Sequence, residues 1–254
     1  MKYDKSLGGR VVEEEKKSVN KKAVIAVLSV VAVIVCASIV LLSLWSVGIF
    51  DKHEPILYMH DAQKGYKEYY IEGENYPGTY AVMKVTDGTN TVECEIYLLE
   101  EFAPITVENF VSYAKSGFYN GTVIHRIVEK TYTFQGGSMV YADGEYVNKE
   151  NGNSPIVGEF KNNRTGSYDY NTISHFPGSI SMARTSESNS ATSGFFISWD
   201  DYQGWNGDYA AFGFIVDKAD VEAIKEMALS VEKDNKDYPE TVITVTEIKI
   251  IEKE

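Results

Sequence analysis

The chain has 254 residues, with 24 Lys/Arg against 37 Asp/Glu and a formal charge of −13. That acidic excess argues against a nucleic-acid binder, which normally carries a basic patch or excess. Its 44% hydrophobic and 24% charged residues make an ordinary globular balance. Two cysteines, Cys36 and Cys94, cannot by themselves build a disulfide framework or a cysteine zinc site. The charge is unevenly divided. Residues 1–50 carry seven Lys/Arg and four Asp/Glu, whereas residues 51–254 carry 17 and 33.

Residues 1–22 read as a basic cytoplasmic tail ending in Lys21-Lys22. Residues 23–50 contain no charged side chain. A helix of about 20 apolar residues crosses a bilayer core, and a cleaved signal peptide has an apolar stretch of only about 7–15. The run therefore predicts a transmembrane signal anchor, with Trp45 near its far interface and the N-terminus held inside by the flanking lysines. Cys36 reads as a small apolar residue of that helix, since the run continues well past it. Everything beyond about residue 50 is then expected outside the cytoplasm, with the protein in the cell membrane. Residues 51–78, polar and Tyr-rich, read as a linker.

A mostly β domain is expected over 79–254. Tyr80–Val85 and Thr91–Leu98 predict two strands across an Asp87-Gly88 turn; in the second, Val92, Cys94, Ile96 and Leu98 alternate with polar residues. After Pro104, the residues Val107, Phe110, Val111 and Ala114 fall at helical spacing, with Thr106 as expected N-cap and Gly117 as stop. A second helix is expected from Asp220 to Ser230 and a closing strand from Val242 to Ile251.

The common chemistry motifs (P-loop, GxGxxG, HExxH, GxSxG) are absent, and no two of His53, His60, His125 and His175 have metal-ligand spacing. Asp200, Asp201 and Asp208 lack EF-hand spacing and read as a solvated loop. The sequons at Asn120 and Asn163 read as chance tripeptides. One constellation does stand out: His125-Arg126-Ile127-Val128, then Phe134-Gln135-Gly136-Gly137, Ser181-Met182-Ala183-Arg184-Thr185, Gly194-Phe195-Phe196-Ile197 and Trp205-Asn206-Gly207-Asp208-Tyr209. A strand Arg, a Gln-Gly-Gly turn and a Phe pair suit a shallow apolar groove holding one cation.

In order and spacing these motifs resemble the cyclophilin family of peptidyl-prolyl cis-trans isomerases over about residues 79–254, with Ala103-Pro104, Thr106–Phe110 and Gly158-Glu159-Phe160 agreeing. The resemblance implies a mainly β fold, a closed eight-stranded antiparallel barrel capped by two helices, here preceded by one N-terminal transmembrane helix. It implies isomerase activity on X–Pro bonds, with Arg126 and Gln135 catalytic and Tyr132, Thr133, Ala183, Phe196, Trp205 and Tyr209 binding substrate. It implies no cofactor and no metal. Its partners are proline-containing polypeptide clients, exported or surface proteins in this setting, and cyclosporin-like ligands. His125 reads as structural.

The sequence also departs from the family pattern. The interval from Arg126 to Gln135 is one residue longer, which predicts a bulge at Glu129–Thr131. Thr133 replaces a pocket Met, Ser138 an acidic residue, Gly194 a Gln, and Gly204 a Trp or His. Those changes motivate an alternative, a proline-peptide binding or chaperone module with reduced catalysis; a scaffold acting through its acidic surface is a third reading.

Overall fold

The computed structural model describes residues 57–61, 65–69, 77–150, 154–163, 171 and 173–254. The expected cytoplasmic tail and anchor, with Lys21, Lys22, Cys36 and Trp45, lie outside the described residues. Among the described residues no helix is long and apolar enough to cross a membrane.

Within 51–78 a hairpin pairs β1 (Leu57–Asp61) with β2 (Gly65–Tyr69). The remaining strands are β3 (Gly78–Thr86), β4 (Thr91–Leu98), β5 (Thr122–Ile124), β6 (Arg126–Val128), β7 (Thr133–Gly136), β8 (Met139–Ala142), β9 (Glu145–Asn148), β10 (Ser179–Met182), β11 (Phe195–Ser198), β12 (Ala211–Ile215) and β13 (Ile243–Lys253). They form one antiparallel sheet in the order β6-β7-β11-β10-β12-β4-β3-β13-β5-β8-β9. The expected closed ring of eight strands is thus corrected to a curled sheet of eleven. Two physical causes account for the difference. His125 interrupts one run of chain, which pairs with β13 before the break (β5) and with β7 after it (β6). The β8–β9 hairpin, turned at Asp143 and Gly144, both with positive φ, then extends the sheet beyond β5.

The expected alternation holds in β4: Val92, Cys94, Ile96 and Leu98 are buried and Thr91 and Glu93 exposed. The core combines Ala81, Met83 and Val85 of β3 with Phe110, Phe134, Phe195 and Phe212, all at most 1% exposed.

Helix α1 (Pro104–Lys115) starts two residues before the expected cap. Thr106 is not the N-cap but lies in the first turn, and Pro104 takes an early position where its missing N–H costs nothing. The helix start is instead capped by Glu159, more than fifty residues away. Its fully buried carboxylate accepts from Ile105 N (3.2 Å), Thr106 N (2.7 Å) and Thr106 Oγ1 (2.7 Å), and a carboxylate there also meets the positive end of the helix dipole. At the other end Gly117, at φ +72°, donates to Ala114 O and Phe118 N donates to Tyr113 O, the paired bonds of a left-handed glycine stop. Helix α2 (Lys218–Ser230) is capped by Asp217, which accepts from Ala219 N at 2.8 Å, and buries Val221, Ile224, Met227 and Ala228.

Candidate active site

The site is a consequence of strand register. Arg126 faces Gln135, Gln135 faces Phe196, and Phe196 faces Ser181 across β6, β7, β11 and β10. Residues directly opposite in an antiparallel sheet project from the same face. One residue along, Ile127, Phe134, Ile197 and Ile180 make the next row, and all four are at most 1% exposed. Alternation therefore turns one row into the core and the other outward. Three of the expected site residues, separated by up to seventy positions in sequence, thus stand on one rung with neighbouring strands about 4.8 Å apart.

The polar end of the rung rests on His125, which is 4% exposed. Gln135 Nε2 lies 3.3 Å from His125 Nε2. With the amide as donor, the ring accepts at Nε2 and carries its proton on Nδ1. Burial first, then the charge of Arg126, pushes this imidazole down to about 4, so it is neutral at pH 7 and can accept. Arg126 itself leaves 46% of its side chain in solvent and faces Asp237 Oδ2 at 3.7 Å.

The apolar end is built around Phe196, 4% exposed. His175 stacks on it (centroids 5.8 Å apart, planes 9° apart), Tyr209 meets it edge-on at 5.3 Å, and Trp205 at 6.2 Å. His175 is fully buried, and both of its ring nitrogens are used: Nδ1 donates to Asn206 Oδ1 (3.0 Å) and Nε2 accepts from Ser181 Oγ (2.8 Å). Desolvation pushes it to about 4 as well. Tyr209 carries the Arg184 guanidinium over its other surroundings: Cζ sits 4.6 Å from the Tyr209 ring and 4.9 Å from Phe160, while Nε and Nη2 donate to Asp208 O. Arg184 thereby fixes the pocket tyrosine.

The other expected residues fall around this rung. Tyr132 adopts the left-handed conformation (φ 52°, ψ 41°) just after a 3₁₀ turn at Glu129–Thr131, which absorbs the extra residue of the Arg126–Gln135 interval. Its ring meets Trp199 at 6.3 Å and Tyr202 at 6.5 Å. Thr133 is 4% exposed, and its hydroxyl is occupied by Thr131 O and Thr131 Oγ1. It therefore offers no free polar wall. Ala183 N donates to Gly194 O (2.9 Å), and a small recess lined by Phe160, Met182, Arg184, Ser188, Ala191 and Ala210 opens beside it.

Sequence reading quoted Arg184 within a motif without giving it a role, weighed a role for His175 only as a metal ligand, and missed Tyr202. Tyr202 explains Gly204: a Cβ there would stand 2.6 Å from Tyr202 Cε1, so the tyrosine ring covers the place of a side chain at 204. Tyr202 also packs on Trp205 at 5.0 Å, making a continuous aromatic wall from Tyr132 to Phe196. His175 carried a faint signal, as a histidine in a segment of apolar and small residues. The Asp200 and Asp208 carboxylates are engaged by Lys225 and Asn162, and among the described residues no cluster of His, Cys, Asp or Glu could hold a metal. Asn163 of the second sequon is buried, its amide donating to Gly158 O and Asn189 Oδ1.

The family model for cyclophilin-type peptidyl-prolyl cis-trans isomerases matches residues 82–250. The chain belongs to this family. It is 33% identical over 171 residues to peptidyl-prolyl cis-trans isomerase A of Dickeya dadantii, covering 65% of this chain and 83% of the relative. It is 31% identical over 179 residues to isomerase B of Escherichia coli, covering 66% and 99%. A cyclophilin-type isomerase of Cryptosporidium parvum, solved in the presence of the dipeptide Ala-Pro, shares the fold at TM-score 0.52 and 21% identity, covering 68% of this chain and 98% of the other. The chain is a peptidyl-prolyl cis-trans isomerase of cyclophilin type.

Proposed function

We propose that this isomerase is held at the cell membrane by residues 23–50 and acts outside the cytoplasm on X–Pro bonds of exported or surface proteins. The uncharged 28-residue run and the lysines before it support that topology. The observation that carries the catalytic reading is the single rung of Arg126, Gln135 and Phe196.

The peptide bond resists rotation by about 18–20 kcal/mol because the nitrogen lone pair is shared with the carbonyl. A donor aimed at the prolyl nitrogen localises that pair and lowers the barrier. Arg126 is that donor, since a guanidinium stays charged at any working pH. Phe196, with Trp205 and Tyr209, seats the proline ring, the same group that the dipeptide beside the Cryptosporidium relative carries. Gln135, braced on neutral His125, holds the substrate backbone so that the nitrogen meets the guanidinium. Ala183, Tyr132 and Thr133 border the seat. The groove is also the proposed place for cyclosporin-like cyclic peptides. No bond is made or broken, so no nucleophile or cofactor enters the cycle.

Isomerisation of a proline peptide by the full chain in detergent, beside Arg126→Ala, tests the chemistry. A charge-assisted hydrogen bond contributes about 1.5–3 kcal/mol, so the substitution should cost about tenfold to a hundredfold in kcat/KM. Retention of wild-type turnover would sink the role of Arg126. For topology, protease added to intact cells or spheroplasts should remove residues 79–254 and spare an N-terminal tag; a protected domain would overturn the extracytoplasmic placement.

A further inference from the structure

We infer that Asp237 is a positioning residue for the Arg126 guanidinium. β6 has two sides. On one, Arg126 pairs with Gln135 of β7 and so with the groove. On the other, Ile127 N donates to Asp237 O at 2.9 Å, which docks the turn carrying Asp237 against β6 away from β7. Arg126 Nη2 faces Asp237 Oδ2 at 3.7 Å across that side. The carboxylate therefore engages the guanidinium from outside the groove. The fork of donors is planar and rigid, so a partner at one nitrogen restricts which edge turns to the substrate.

The turn is built to present this carboxylate. Asp237 takes φ +67°, a left-handed conformation that Asp and Asn tolerate better than most side chains. Asp234 Oδ1 accepts from Lys236 N (2.8 Å) and Tyr238 N (2.9 Å), bracketing residue 237. Tyr146 of the β8–β9 hairpin buttresses the far side: its hydroxyl donates to Pro239 O at 2.7 Å and its ring meets Tyr238 at 5.3 Å. Arg126 is long and half exposed. Without a fixed counter-charge it would sample many rotamers, and only some aim at the groove.

This inference rests on the catalytic reading of Arg126. It is tested by kinetics of the full chain in detergent on an uncharged proline peptide, with Asp237→Asn, Asp237→Gly and Arg126→Ala. Asn and Gly both accept positive φ, so they remove the carboxylate and keep the turn. Both should lower kcat about two- to fivefold, as for a half-exposed ion pair, with KM and the thermal midpoint unchanged. Raising ionic strength from about 0.01 to about 1 M should bring wild type down to the variants and leave the variants flat. An Asn variant with wild-type or higher kcat at low salt would overturn the inference, as would a difference between Asn and Gly, which would assign the effect to the turn. Should Arg126→Ala lose tenfold or more while Asp237→Asn is wild type, only this inference falls; wild-type turnover in Arg126→Ala removes the catalytic reading as well.

Discussion

The two ends of the groove are supported in opposite ways, although each lies on a buried neutral histidine. At the Phe196 end His175 spends both ring nitrogens on Asn206 and Ser181, and the wall around Phe196 is ring against ring. At the Arg126 end His125 supports Gln135 through one nitrogen, and Arg126 reaches past it into solvent toward Asp237. One end is a seat formed as the domain folds. The other is a long side chain steered by a few polar contacts. The difference is one of construction: dense ring packing excludes water at one end, whereas the Arg126 side chain keeps 46% of its surface in solvent.

The sharpest way to break this comparison is to truncate each end. Phe196→Ala removes a 4%-exposed aromatic from between three rings and should cost about 3–5 kcal/mol of stability together with most of the affinity for substrate. Arg126→Ala should leave the unfolding free energy within about 0.5 kcal/mol of wild type while lowering kcat/KM about tenfold to a hundredfold. Equal losses of stability at the two ends, measured by urea unfolding, would show that the ends are not built differently.

Acid should sharpen it next, by showing what the ends share. Both histidines are pushed from 6.5 to about 4 in the folded chain, by burial foremost. The unfolded chain therefore takes up these two protons near pH 6.5 and the folded chain only near 4, so stability is full above about 6.5 and falls as pH is lowered toward 4. Each histidine accounts for roughly 3 kcal/mol of that loss. In an NMR titration neither imidazole should move between pH 8 and 5.5, with both shifting near 4. A histidine titrating at 6 to 7 would mean that its end of the groove is wet.

Much of this was legible beforehand, and the gaps have a common cause. The β4 alternation, both helices and the closing strand are local patterns, and the row Arg126, Gln135, Phe196 came through motifs that each occupy a few consecutive residues. What escaped was what arises between distant segments. Thr106 looked like a cap because it sits one turn before apolar residues, but the cap is Glu159, placed there by the fold. The ring closure expected for eight strands could not reveal that His125 splits one strand in two. Gly204 looked like a missing wall because Tyr202, two residues earlier, leaves no mark of folding over it.

The smallest expected effect concerns the rim, and it separates a glycine kept for function from one kept for structure. Gly137 in the Gln-Gly-Gly turn has φ +81°, and a Cβ there would lie 2.7 Å from the buried Phe195 ring. Gly194 also stands where a side chain is missing, yet a Cβ there would meet Ala183 Cβ at 3.4 Å and Ser138 Cβ at 3.5 Å, ordinary contacts with no positive φ. The fold does not require glycine at 194. Gly194→Gln should therefore change stability by no more than about 0.5 kcal/mol, while placing an amide on the rim beside Ala183, between the proline seat and the recess next to it. Its effect should appear in KM for proline peptides that differ in the residues flanking the proline, with kcat on the best substrate nearly unchanged because neither Arg126 nor Phe196 moves. A destabilisation approaching that of Gly137→Ala would show that position 194 is constrained by packing and that its glycine says nothing about which chains this isomerase prefers.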